Sequence, residues 1–300
     1  MFVITYKKFF IGLSVTFVVL ALAAVAVYGL PLGIDFKGGS QLQVIYPQGR
    51  PEVVQIKKTL TTIALPDAIV QPTGSTGLII KTHAITEAEK NNVVLYLSTD
   101  AQQKITESSF TTIGPSVGAE LKHKAIISIV LVLIAIILFV AYAFRKVSYP
   151  VSSWKYGLAV IIALVHDIAI PLGVFAILGH FYGAELDTLF VVALLTTLAL
   201  SIADTIVVFD RIREHLGNDN KHSTLFPIIV GDSLAETFAR SINTSLMVLI
   251  MVITLAVIGP ASTRLFAIVL AIGMFFGTYS SIFLASPLLV VMEGLQKSKK

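Results

Sequence analysis

A carboxylate at position 204 stands in Ser201-Ile202-Ala203-Asp204-Thr205-Ile206-Val207-Val208-Phe209, near the end of an apolar run that begins at about residue 187. An ionisable group at the centre of a membrane helix costs about 2.5–3.5 kcal/mol on insertion scales, and less toward the interface. The chemistry open to a lone carboxyl in such a setting is proton exchange. Desolvation favours the neutral acid and a nearby cation favours the carboxylate, so a small change in separation loads or releases a proton. The candidate cation is Arg240, directly before Ser241-Ile242-Asn243-Thr244-Ser245 at the start of another apolar segment. A lone Arg there also serves as a membrane-surface anchor, and pairing with Asp204 competes with that role. A second polar site, Val165-His166-Asp167-Ile168, lies inside a further apolar run. A buried His is more often satisfied structurally than used chemically, whereas Asp167 points to a polar interior or a water path. Neighbours on a helix point about 100° apart, so these two need not share a partner.

The elements that hold these groups are membrane helices. The 300 residues are 55% hydrophobic and only 13% charged, and the mean hydropathy is +0.85, far from an ordinary soluble domain. Six apolar segments, at about residues 11–30, 125–144, 156–178, 187–209, 242–258 and 265–292, each approach the ~20 residues a spanning helix needs. The first follows Lys7 and Lys8 and carries Ala24-Val25-Ala26. Its run exceeds the ~7–15-residue core of a secretory signal, so it reads as an uncleaved anchor. The net charge of +4 reflects Lys and Arg beside apolar segments and does not call for nucleic acid. The chain has no Cys, which excludes disulfides, thiolate-zinc and iron–sulfur sites.

Basic residues also orient the chain. Lys7 and Lys8, then Arg145, Lys146 and Lys155, then Arg211, Arg213, Lys221 and Arg240, then Lys297, Lys299 and Lys300 fall on one side, while the short loops opposite hold only Arg264. Both termini are therefore expected in the cytoplasm, with residues 31–124 outside and a loop at about 210–241 inside. Within that loop Asp210-Arg211-Ile212-Arg213-Glu214 reads first as helix-end anchoring. Asp210 and Arg211 thus support either the helix end or the relay. Asp204 lies six residues earlier, about 9 Å up the axis. Residues 218–239 read as an amphipathic surface helix leading into the fifth span, and residues 293–300 as a basic tail.

Residues 31–124 read as a folded α+β domain. Alternation at 40–46, helical spacing at 51–63, short β-rich runs at 68–71 and 78–82 about a turn at 72–75, a helix at 86–103 and an extended run at 109–113 give β-α-β-β-α-β, the ferredoxin-like order. No metal-ligand spacing and no nucleophile–base pair occurs in it, so binding or leverage is expected there rather than catalysis. Gly33-Ile34-Asp35-Phe36-Lys37-Gly38-Gly39 joins the first span to this domain. It lacks the phosphate-loop pattern and reads as a tight turn built on glycine. In the last span Gly273-Met274-Phe275-Phe276-Gly277, with Ser280, Ser281, Ala285 and Ser286, reads as a close helix–helix contact and not as chemistry.

Taken together, the 33–39 motif, Gly114-Pro115-Ser116-Val117-Gly118-Ala119-Glu120-Leu121, His166-Asp167, the run from Asp204 to Glu214, Arg240-Ser241-Ile242-Asn243-Thr244-Ser245 and residues 277–287 resemble, in order, the SecF branch of the SecD/SecF family of bacterial protein-export membrane proteins. The resemblance implies a half-transporter of the RND type that pairs with a SecD-like subunit and assists the SecYEG channel. It would use the proton-motive force to promote passage of unfolded preprotein across the bacterial inner membrane, with no cofactor, no metal and no enzymatic reaction. By the same resemblance Asp204 belongs to the proton relay with Arg240 and Asp167, His166 is a possible member, and Gly33, Asp35, Phe36, Gly38 and Gly39 form the connector. One departure stands out: the family usually carries Asn where this chain has Ala203, which removes an amide beside Asp204. The alternatives are a proton-coupled efflux half-transporter, disfavoured by an outer domain of only about 90 residues, or a non-transporting partner with Asp204 and Arg240 as a static pair.

Overall fold

A computed structural model describes residues 2–145, 150–218 and 224–297. Lys146, Lys221, Lys299 and Lys300, used above for orientation, lie outside the described residues. After a short turn of helix α1 (Phe2–Thr5), the chain divides into two compact units, one α+β and one helical.

The α+β unit comprises Leu32–Ile127 and Glu185–Thr188. A single helical turn, α3 (Ile34–Lys37), leads into β1 (Gly39–Ile45), followed by α4 (Val53–Thr62), β2 (Ile69–Thr73), β3 (Gly77–Thr82), α5 (Glu87–Asp100) and β4 (Thr106–Ile113). The β-α-β-β-α-β order is thus formed, and the four antiparallel strands lie in the order β2-β3-β1-β4. Pairing sets Leu42 opposite Ile80 and Val44 opposite Leu78. Because strand side chains alternate, these four share one face. Ile56 and Leu60 of α4 and Val93 and Leu97 of α5, each pair one helical turn apart, close that face into a core. Burying each such side chain contributes about 1.5–3 kcal/mol. A capping box starts α5: the Glu89 N–H donates to Thr86 Oγ1 at 3.3 Å and the Thr86 N–H to Glu89 Oε2 at 2.7 Å. These bonds satisfy two N-terminal donors that the helix cannot.

Among the described residues, six helical stretches are long and apolar enough to cross a membrane: Lys7–Tyr28 (α2), Pro115–Ala143 (α6), Ser153–Tyr182 (α7), Thr188–Asn218 (α8), Phe226–Ile258 (α9) and Ser262–Leu295. The last comprises α10 (Ala261–Ser280), a π-helical turn (Ser281–Ala285) and α11 (Ser286–Lys297). Small residues set the close approaches. A methyl at Gly173 of α7 would lie 2.4 Å from Ala21 Cα of α2, and one at Gly273 of α10 would lie 2.3 Å from Thr197 Oγ1 of α8. The contact expected from Gly273 and Gly277 is therefore made, and its partner is α8.

Two expectations need correction. Residues 210–241 are not mainly loop, since α8 continues to Asn218 and α9 already starts at Phe226. Nor do residues 226–239 form a separate surface helix, while residues 219–223 lie outside the described residues. Phe226, Ile229, Val230, Ser233, Leu234, Thr237, Ser241 and Ser245 are all buried on α9. This stripe recurs every three or four residues without a phase break, so a single helix of 33 residues satisfies it. The polar residues that suggested a surface, Asp232 and Glu236, occupy the opposite, exposed side.

Candidate functional site: two intramembrane carboxylates and the connector

Asp167 and His166 are both fully buried on α7. They bond each other, with His166 Nδ1 2.9 Å from Asp167 Oδ1. In the Nδ1–H tautomer the ring donates to the carboxylate, and among the described residues Nε2 is buried without a partner. The other carboxylate oxygen receives two hydroxyls, Ser201 Oγ of α8 at 2.5 Å and Ser280 Oγ of α10 at 3.0 Å. Three donors from three helices thus converge on one buried carboxylate, the condition under which a charge is tolerated away from water. The hydroxyl pairs continue beside it: Thr205 Oγ1 with Ser281 Oγ at 2.7 Å and Ser245 Oγ with Thr278 Oγ1 at 2.5 Å. Tyr279 stacks on the His166 ring with centroids 6.0 Å apart.

Close packing makes this convergence possible. A methyl at Gly277 would stand 2.9 Å from Ser201 Cβ, so its absence lets α10 bring Ser280 to the carboxylate that Ser201 already holds. Sequence reasoning assigned Ser280 and Ser281 to packing alone and gave Ser201 no role. The available signal was a hydroxyl at each of these positions on helices otherwise apolar, because a hydroxyl facing the interior of a bundle needs a partner.

Asp204 is held differently. Ser241 Oγ of α9 donates to Oδ1 at 2.5 Å, while Oδ2 is buried without a partner among the described residues. Arg240 is exposed, and among the described residues no ion pair joins it to Asp204. The structure thus places the residue after Arg240 on the carboxylate, and Ser241 supplies a donor where Ala203 has none. Past Asp204, Asp210 pairs with Arg213 Nη2 at 2.5 Å, and Arg211 pairs with Glu214 at 2.6 Å and with Glu236 of α9. His215 Nε2 stands 3.1 Å from the same Glu236 carboxylate. Asp210 and Arg211 therefore sit in ion pairs about two turns before α8 ends at Asn218, and the carboxylates of Asp167 and Asp204 are each held by hydroxyls from other helices.

The connector is more ordered than a bare turn. Phe36 is buried, and Asp35 Oδ2 accepts the Thr188 N–H at 2.8 Å and Thr188 Oγ1 at 2.7 Å. The Gly33 N–H donates to Leu186 O at 2.8 Å. Gly38 and Gly39 have φ of +79° and +144°, where L side chains are strained. A methyl on Gly39 would also lie 2.6 Å from Thr82 O, and one on Gly38 2.8 Å from Pro115 Cα. Among the described residues no three His, Asp or Glu side chains come together as metal ligands.

Comparison with known proteins gives this arrangement a family. The model described as "Protein export membrane protein SecD/SecF, C-terminal" matches residues 93–294, and "SecD/SecF GG Motif" matches residues 23–44. The chain is 34% identical over 290 residues to protein translocase subunit SecF of Anaerolinea thermophila, covering 96% of this chain and 92% of that one. It is 36% identical over 302 residues to the SecF of Thermobaculum terrenum, covering 97% and 93%. In structure it resembles SecDF of Thermus thermophilus, described as a translocon-associated membrane protein, with a TM-score of 0.84 and 28% identity. That likeness covers 97% of this chain and 38% of the SecDF chain. Matched along nearly its whole length, and with the connector and the membrane helices both inside the matched regions, the chain belongs to the SecD/SecF family of protein-export membrane proteins, in its SecF branch.

Proposed function

We propose that this chain is a proton-coupled subunit of the protein-export machinery of the bacterial inner membrane, working beside a SecD-type subunit and the SecYEG channel to promote passage of unfolded preprotein. In this reading both termini face the cytoplasm and the α+β unit faces outward. The names of its SecF relatives support the export role, and its coverage of only part of the SecDF chain supports a SecD-type partner. The observation that carries the proton is the contrast between the buried Asp167 and the half-buried Asp204. Asp167 has donors on both oxygens, whereas Asp204 has one donor and one bare, buried oxygen among the described residues. A buried polar atom left unsatisfied is costly, and a proton on Oδ2 relieves that cost by removing the charge. Asp204 is then the loading site, Arg240 the cation whose approach favours release, and Asp167 with His166 the polar interior beside them.

The driving force is adequate. One proton crossing 100 mV supplies about 2.3 kcal/mol, which biases a two-state equilibrium by about 50-fold. The test is Asp204→Asn in inner-membrane vesicles with unchanged expression. Loss of the part of preprotein export that depends on the membrane potential is expected, and full retention of that part refutes the proposal.

A further inference from the structure

The short loop between α7 and α8 is tied down along its length. Lys81 Nζ of β3 meets Glu185 Oε2 at 2.7 Å, with the two side chains only 13% and 16% exposed. Leu186 accepts from the Gly33 N–H and forms a parallel bridge with Leu32. Thr188, the first residue of α8, gives both its N–H and its hydroxyl to Asp35. Here a carboxylate 153 positions earlier accepts the first backbone N–H of α8, where a negative charge also meets the positive end of the helix dipole.

Glu185–Thr188 belong to the α+β unit, and α8 runs on from Thr188 to Asp204 without a break. The separation is 16 residues, about 24 Å at 1.5 Å per residue. Of the other helices that lead into that unit, α2 and α6 carry no carboxylate in their apolar stretches, and α7, which reaches the loop from its other end, carries Asp167. We propose that Glu185–Thr188 is a strap through which the α+β unit and the Asp204 helix move together. Asp35 is the positioning residue that grips the start of α8, and the Lys81–Glu185 pair keeps the strap on the sheet. The consequence for export rests on the proton reading of Asp204, whereas the mechanical link does not.

The test uses the full chain assembled with its SecD-type partner in vesicles. Lys81→Glu and Glu185→Lys are each expected to lower potential-driven export at least about fivefold, the lower end of typical coupling between sites, with expression and assembly unchanged. The double reversal restores it. Asp35→Ala is expected to lower export likewise, whereas Asp35→Asn, an equally good cap, largely keeps it. Amide hydrogen exchange supplies the readout that a local cap does not move. In Asp35→Ala, exchange rises at residues 188–191 and, through the common helix, at residues 204–208. The strap is refuted if exchange rises only in the first turn, if single charge reversals leave export intact, or if the double reversal fails to restore it. Should Asp204→Asn itself leave export intact, the proton reading falls and the exchange measurement alone decides the strap.

Discussion

Replacing Gly273 by alanine puts a methyl where Thr197 already stands. The added Cβ would lie 2.3 Å from Thr197 Oγ1, 2.5 Å from Cγ2 and 2.9 Å from Cβ, against an optimum of about 3.5–4.0 Å. Helices α8 and α10 must therefore part by about 1 Å. Alanine gains about 1 kcal/mol over glycine in helix propensity, while overpacking costs about 1–3 kcal/mol, and three sub-contact distances to a β-branched side chain put this site at the upper end. A net loss of about 1–2 kcal/mol follows. At Gly277 the nearest atom is Ser201 Cβ at 2.9 Å, so the same substitution lies near balance and acts mainly by shifting the Ser201 hydroxyl from Asp167. The two nearest Thr197 atoms, Oγ1 and Cγ2, are removable: Oγ1 is buried with no hydrogen-bond partner among the described residues, so Thr197→Ala forfeits packing but no hydrogen bond there. In a double-mutant cycle, Gly273→Ala and Thr197→Ala should couple favourably by about 1 kcal/mol or more. Unfolding of the detergent-solubilised chain by SDS, followed by circular dichroism, measures all three variants. If Gly273→Ala is as stable as the parent, or Thr197→Ala brings no relief, the packing account of the α8–α10 seam is wrong.

Two further outcomes follow from individual contacts. The Thr86 backbone N–H, and then its hydroxyl, hold the Glu89 carboxyl below the usual carboxylate range. A depressed folded value means that its stabilising effect is present at neutral pH and is lost as pH falls through that value. Exchange protection of the first turn of α5 should therefore fade on acidification in the parent and lose this pH dependence in Glu89→Gln, while Thr86→Ala costs about 0.5–2 kcal/mol at neutral pH. At the membrane site, Asp167→Ala leaves His166, Ser201 and Ser280 without their shared acceptor; the two hydroxyls can turn to Gly277 O, at 3.4 and 2.9 Å, so the cost falls mainly on His166, at about 1–3 kcal/mol for a buried donor left unpaired. Asp167→Asn keeps one acceptor oxygen and is expected to be the milder change in the same SDS titration; equal losses for the two variants contradict the network.

The distribution of apolar residues was enough to count the membrane spans and to give the β-α-β-β-α-β order, because period 3.6 and period 2 are properties of a local stretch of chain. It also marked Asp167 and Asp204, whose cost is visible from their neighbours alone, and the small residues at Gly273 and Gly277. Periodicity says which face of a helix is apolar, but not which helix meets it or at what rotation. That is why the sequence set Arg240 beside Asp204 as a candidate and did not show that the adjacent Ser241 of α9 donates to it, and why Ser201 and Ser280, read as filler or passed over, meet on Asp167. The continuity of α9 was hidden for a related reason: charged residues on one side of a helix look like a surface segment until the buried stripe opposite them is in view. Most distant of all is the cap on α8. Asp35 and Thr188 lie 153 residues apart, and no local pattern encodes a hydrogen bond that exists only once the α+β unit has folded around the loop that begins the Asp204 helix.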